Sequence, residues 1–487
     1  MKRILFFLCI SLFIVSCKDD VKPSATDDLY KYVNNWVYQN MTDLYYWNIT
    51  LPAIKSTSEN PNDYFKSLKY QDDRFSAIFE SYQDILNQLN GVSSAEIGFD
   101  FQLYKESANN DNVLGIVLYL KPGTPAKSLG IKRGDIFRKI NGQQMTMTNY
   151  MTGINLLLDN SASASITFSN LKNNIFTDKT AITVNKAANY HENPVYLDTV
   201  YTIQSKKVGY LVYNFFTNDD GDKSMKYDLA LNNAIGRFKQ QNINELILDL
   251  RYNHGGMMSS AVNLASMLVP NLTANKVFTL TEYNQNYTNY FNSADFKSKN
   301  SENPFINNFA LTIDAISPSV ASIPVQNVGN NLQRIIFLTG RGTASASEMV
   351  INGLKPYMSQ PCVLIGDTTV GKNVGSTLVN DTKNLKNQWA FMPIILKYFN
   401  KDHFSDFTNG FAPNFVVADD YSYQLGDTQE GLLKKAISQI SGIPVGAAKA
   451  APLRRALVNS SIDFKRMGNG LVLKSKSTDS YLNRSRK

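Results

Sequence analysis

Serine, lysine and paired glycines carry the chemistry that this sequence can support. The stretch Thr343-Ala344-Ser345-Ala346-Ser347-Glu348 follows an apolar run, Arg334 to Leu338, and the turn Thr339-Gly340-Arg341-Gly342. After it comes Met349-Val350-Ile351-Asn352-Gly353-Leu354, spaced like one face of a helix. Strand, glycine-containing turn, small residues and helix together present a serine at a helix N-terminus. There the free N–H groups and the positive end of the helix dipole favour a developing oxyanion. Standing alone, Ser and Ala before a helix mark an N-cap more often than a nucleophile.

A serine hydroxyl is a poor nucleophile until a base takes its proton. The sequence holds 3 histidines, His191, His254 and His403, and only His254 lies in a recognisable stretch, Tyr252-Asn253-His254-Gly255-Gly256. That scarcity turns attention to lysine, which acts as a base only if burial disfavours its ammonium form. Lys372 ends the loop Thr368-Thr369-Val370-Gly371 after an apolar strand, Val363 to Asp367. No carboxylate lies closer before it in sequence than Asp367. A third strand, Glu245 to Arg251, leads into the His254-Gly255-Gly256 turn and a helix-like run, Met257 to Leu268. Three strands therefore end in small-residue loops, where open α/β sheets place their sites.

TASASE, followed by GDTTVGK and preceded by LDLRYNHGG, resembles the C-terminal processing, or tail-specific, peptidases, and the three motifs stand in that family's order. The resemblance implies a serine–lysine peptidase on a crotonase-like α/β core, with Ser345 as nucleophile and Lys372 as general base. It implies an oxyanion site from backbone N–H groups of the Gly255-Gly256 turn and of Ala346. Glycine there leaves room for the carbonyl to approach. No metal or organic cofactor is implied. Thr343 replaces the family's first serine, and the interval from Ser345 to Lys372 is slightly longer than usual, which leaves Ser347 as the alternative nucleophile. Where the family carries a glutamine four residues after the lysine, this chain has Ser376, a shorter group for orienting the amine. Glu348 fits a helix-start role better than proton transfer. The departures at Ser376 and in the interval also motivate the alternative reading, a catalytically inactive binding or scaffold lipoprotein.

The elements that must position these residues suggest a multidomain α+β chain of 487 residues. Residues 1–16 read as a signal peptide, with Lys2 and Arg3 before an apolar run too short to span a bilayer. Ile14-Val15-Ser16-Cys17 resembles a lipobox, so Cys17 is the expected lipidation site and 17–26 a tether. The expected setting is an exported bacterial lipoprotein, held by its lipid anchor at the outer membrane, on the periplasmic face or the cell surface. Residues 27–90 read as an N-terminal helical bundle. Residues 91–190 read as a PDZ-like domain, because Gly123 to Gly142, GTPAKSLGIKRGDIFRKING, strongly resembles one. The resemblance implies a groove that binds substrate C-termini by strand addition. Its carboxylate loop would be Glu96-Ile97-Gly98-Phe99, with Gly98 and Phe99 as peptide-binding residues. The peptidase core is expected over 195–445, with Asn271 to Asn331 as a β-containing insertion.

The net charge of +8 does not describe a basic groove. Between Leu453 and Lys487, nine Lys or Arg stand against two Asp, so the basic character belongs to the tail, 446–487, read as a solvated end. Nucleic-acid binding is accordingly not expected. Of 3 cysteines, Cys9 leaves with the signal and Cys17 carries lipid, leaving Cys362 as a buried thiol.

Overall fold

The computed structural model of the chain describes residues 25–444, 456–465 and 471–472. The expected signal peptide and Cys17 lie outside the described residues, as does most of the tether and of the tail. Three helices begin the described chain. α1 (Ala25–Leu44) buries Val33, Val37, Met41 and Leu44, which recur at helical spacing. α2 (Pro61–Leu68) starts on a proline, and the Asn60 side chain accepts the Asn62 N–H. α3 (Tyr82–Leu89) is capped by Ser81.

The N-terminal helices, read as a small bundle, share their core with the α/β unit. α1 and α2 bury their apolar residues in one cluster with Leu211, Ile335 and Met349 of the α/β core. α3 packs Ile85 and Leu89 on Ala390 and Met392, and strand Ala77–Phe79 pairs with Ala390–Met392. Helices of 20, 8 and 8 residues are too few to enclose a core of their own, so they borrow a second layer.

A β-rich unit follows. β1 (Phe99–Lys105) and β2 (Val113–Leu120) pair antiparallel, and the sheet continues through Ile136–Ile140 and Ser163–Lys172. With α4 (Tyr150–Leu158) it encloses a core around Phe99, Phe101, Phe137 and Ile154. Asn141 and Gly142, both at positive φ, form the tight turn that their sequence predicts.

The central sheet has six strands. β3 (Val195–Ile203) is its antiparallel edge, and β4 (Lys206–Tyr213) and β5 (Glu245–Asp249) begin the parallel part. β6 (Arg334–Thr339) and β7 (Val363–Gly366) extend it. β8 (Val374–Ser376) and β9 (Ile394–Phe399) belong to a second, antiparallel pairing beside it. β10 (Phe415–Val416) closes the central sheet next to β7.

Along β5, Leu246 and Leu248 face α5 (Lys226–Gln240), α6 (Met258–Leu268) and α7 (Ala346–Leu354), while Ile247 faces α8 (Gly431–Ser441). Both faces are covered, which is why these strands read as unbroken apolar runs. Cys362 is buried and unpaired, and burial pushes its thiol up to about 11.

The segment from Asn271 to Asn331 holds strand Val277–Tyr283 and two helices, Gln285–Asn292 and Ala294–Lys299. Its polar residues cap those helices: Asn284 accepts the Tyr287 N–H and Ser293 the Phe296 N–H. The basic tail is not wholly a solvated end. β11 (Leu457–Ser460) pairs antiparallel with β1, α9 (Ser461–Lys465) follows it, and β12 (Leu471–Val472) pairs parallel with β8.

Candidate active site

β6 ends at Thr339 and the chain turns toward α7. The Thr343 hydroxyl donates to the Leu250 carbonyl at 2.7 Å and accepts the Gly340 N–H, tying this turn to the end of β5. Ser345 stands at the head of α7 with φ 57° and ψ −110°, a backbone state that L residues rarely adopt. Its Oγ is buried and has no hydrogen-bond partner among the described residues. Ser347, the alternative nucleophile, donates its hydroxyl to the Asn253 carbonyl at 3.1 Å.

Two side chains join Ser345 to the lysine loop. The Glu348 Oε2 accepts the N–H of Ser345 and the N–H of Lys372, each at 2.8 Å. Its Oε1 accepts the Gly371 N–H and the Thr369 hydroxyl, each at 2.6 Å. Burial raises the Glu348 carboxyl's proton affinity, and these four donors oppose the rise. On the other side, the Tyr398 hydroxyl lies 3.1 Å from the Ser345 carbonyl and 2.8 Å from the Lys372 carbonyl. The two backbones are thus held within two hydrogen-bond lengths of one another at both their donors and their acceptors.

Lys372 is 6% exposed, and its Nζ makes no ion pair among the described residues. Burial depresses its pKa from 10.5 to about 8, against the opposing pull of Asp73 and Glu348. Its Nζ lies 5.1 Å from the centre of the Phe75 ring. That ring belongs to the segment after α2, which is pinned in place at several points. Asp73 accepts the Tyr45 hydroxyl and the N–H groups of Phe75 and Ser76. Arg74 donates to the carbonyls of Val370 and Thr408, each at 3.0 Å. The Ser76 Oγ accepts the Ile394 N–H. Sequence reading did not find Asp73, Phe75 or Tyr398; they lie far from the motifs in the chain and only the fold brings them here.

Gly255 lies against the serine. A Cβ on it would stand 2.9 Å from the Ser345 Cβ and 3.0 Å from the Ala346 nitrogen, and its φ is +99°. Its N–H already donates to the Asn253 Oδ1 at 2.8 Å. The N–H groups of Gly256 and Ala346 engage no acceptor among the described residues. Asn253 also donates to the Tyr213 carbonyl and receives the Ala344 N–H, so it locks both turns together. Ser376 is buried in β8 opposite Ile394. No histidine bonds the Ser345 Oγ. His191 meets Asp220, His403 sits at positive φ in a turn, and the His254 Nε2 lies 3.7 Å from Asp463. Away from this centre, the Gly98 N–H donates to the Glu96 Oε1 at 3.1 Å just before β1, and Phe99 begins that strand.

The arrangement, a serine in a strained turn at the head of α7 on a mixed α/β core, is that of a class of α/β peptidases. Within that class the chain belongs to peptidase family S41. Its family model, Peptidase family S41, matches residues 207–417, and a second, Peptidase S41 N-terminal domain, matches residues 32–77. The chain is 23% identical over 339 residues to a CtpA-like serine protease of Staphylococcus aureus, covering 69% of this chain and 55% of that protein. It is 23% identical over 332 residues to a chloroplastic C-terminal processing peptidase of Tetradesmus obliquus, covering 65% of this chain and 59% of that protein. A solved structure assigned to the S41 proteases, from Bacteroides fragilis, superposes with a TM-score of 0.66 at 25% identity. That superposition covers 84% of this chain and 98% of the other. The chain thus spans little more than half the length of the curated relatives it matches.

Proposed function

We propose that the chain is a serine endopeptidase of the C-terminal processing type. Ser345 attacks the scissile carbonyl, and Lys372 takes the serine proton and returns it to the leaving amine. The N–H groups of Gly256 and Ala346 receive the oxyanion of the tetrahedral intermediate, while Gly255 keeps the approach to Ser345 open. Ser376 lines the lysine strand, and its hydroxyl is the candidate for orienting the amine. The observation that carries this reading is the state of Lys372: a buried amine, its pKa drawn down to about 8, whose backbone shares two ligands with that of the serine. A serine with an unengaged hydroxyl, its backbone tied to that of such an amine, has a candidate base without histidine.

The PDZ-like unit supplies substrate recognition, with the C-terminal stretch of a polypeptide adding as a strand to β1 beside Gly98 and Phe99. Cys17 would carry the lipid that tethers the enzyme to a membrane, consistent with an exported protein. Replacing Ser345 by Ala, or Lys372 by Ala, is expected to lower peptide cleavage by at least about 10³-fold with an unchanged circular dichroism spectrum. A Lys372→Ala enzyme with full activity would remove the lysine from the mechanism. Failure of the unaltered protein to react with an alkyl fluorophosphonate would favour the inactive scaffold instead.

A further inference from the structure

The described part of the basic tail lies where a bound peptide would lie. β11 runs antiparallel along the outer edge of β1, with Leu457 opposite Tyr104, Asn459 opposite Leu103 and Ser460 opposite Gln102. The Lys105 N–H adds a further bond to the Ala456 carbonyl at 2.8 Å. Antiparallel pairing directs the tail toward the Gly98 turn, the direction a peptide C-terminus would take. Where the strand pairing stops, the Ser461 hydroxyl replaces it: Oγ accepts the Phe101 N–H at 2.8 Å and bonds the Asp100 carboxylate at 2.9 Å.

The end of this groove is built for a cation. Glu96, Asp100 and Glu192 are all buried around one ammonium, that of Lys121, which lies 3.1, 3.6 and 2.7 Å from them. Buried carboxylates are costly unless paired, so a further cation beside Glu96 and Asp100 is favoured. Lys465 adds a second ammonium to this cluster, with its Nζ 3.0 Å from Glu96 and 3.0 Å from Asp100. The Gly98 N–H, the donor that a free carboxylate would need, is meanwhile held by Glu96 itself.

Two further described parts of the tail lie near the candidate catalytic centre. Ile462 is buried with Tyr252 and Tyr119, and Asp463 approaches His254, next to Gly255 and Gly256. β12 then pairs parallel with β8, Gly375 opposite Leu471 and Ser376 opposite Val472, three and four residues after Lys372.

We propose that residues 456–465 are a resident peptide ligand that occupies the substrate groove along the edge of β1, with residues 471–472 paired to the lysine strand. We further propose that the end of the groove takes a lysine side chain four residues after a serine, so that an incoming C-terminal stretch must displace Lys465 as well as the strand. This rests on the peptidase reading for its consequence, namely that a substrate must displace the tail. It does not rest on that reading for its geometry. The substrates that compete best are flexible polypeptide segments with Ser and Lys spaced like Ser461 and Lys465.

The test uses the full chain and two variants, Lys465→Ala, which empties the acidic pocket, and Asn459→Pro, which breaks the strand without touching a carboxylate. Amide exchange at residues 457–460 and 101–105 is expected to quicken at least about tenfold in both. The KM for an unfolded reporter polypeptide is expected to fall in both while kcat stays the same. A synthetic peptide of residues 455–473 should restore protection of β1 in Asn459→Pro and inhibit cleavage competitively, and the same peptide with alanine for Lys465 should do neither. Unchanged exchange and unchanged KM in Asn459→Pro would overturn the proposal, as would equal binding by the alanine peptide. If none of the proteins cleaves the reporter, the peptidase reading falls, while the exchange and peptide-binding measurements still decide the occupancy of the groove.

Discussion

Lys372 is the residue of the candidate site whose proton affinity burial draws down. In the folded chain it releases its proton near pH 8, and in an unfolded chain near its ordinary 10.5. Between those values the unfolded state binds more protons, so stability rises with pH across that window. Below pH 8 the whole burial penalty is present. Two outcomes follow from that sign. Cleavage should rise with pH along a limb centred near pH 8, as the amine becomes neutral, measured as kcat/KM against pH. Lys372→Met should abolish cleavage yet raise stability at pH 7 by up to about 3 kcal/mol in urea denaturation, since each pKa unit is worth about 1.4 kcal/mol. Much of this residue-scale picture was legible beforehand. Ser345, Lys372 and Glu348 sit inside contiguous motifs, and Glu348 lies one helical turn after the serine. Tyr398 carried no such mark. It is 26 residues from one partner and 53 from the other, in a strand whose apolar pattern explains a tyrosine without any site.

At the scale of elements, the turn between β6 and α7 decides whether Ser345 can serve. A strand–turn–helix was readable from the spacing of apolar residues, but the serine's φ of 57° was not, because serine has no preference for that region. Thr343, Asn253, Glu348 and Tyr398 hold the turn there, and such a backbone state costs about 1–3 kcal/mol. Ser345→Gly should therefore stabilise the chain by about 1 kcal/mol or more while removing activity, a gain that Ser345→Ala should not show. Denaturant midpoints of the two variants, compared side by side, measure the difference. The segment from Asn271 to Asn331 shows the opposite limit. Its sequence suggested a β-containing insertion, yet Asn284 and Ser293 are helix caps, and a cap and a loop residue look alike until the following helix is known.

Across the whole molecule, parts remote in sequence are bound to the site by buried charges and backbone bonds. Arg133 of the β-rich unit reaches Asp419 at 2.6 Å and the Tyr252 hydroxyl. Arg251 joins Asp419 to Asp249 and Glu430. This network fixes the turn that carries Gly255 and Gly256 against both units. The N-terminal helices were legible as helices and not as a shield, because nothing in the spacing of Asp73 and Phe75 says what they cover. Phe75→Ala should admit water to the Lys372 amine. Water solvates an ammonium better than a ring face does, so the amine's pKa should rise and the activity limb move up by about one pH unit. An unmoved limb would mean that the ring has no share in setting the base.

The pinning of the Arg74 guanidinium on Val370 and Thr408 has a further consequence, since those partners lie 296 and 334 residues downstream. During synthesis the cover is made long before the amine it shields, and the amine before the last strand of the central sheet. A growing chain thus holds a serine and a lysine but no dry chamber in which they can react. On the proposed mechanism, hydrolytic competence waits until Thr408 and β10 have been made and docked, however early the serine and lysine emerge.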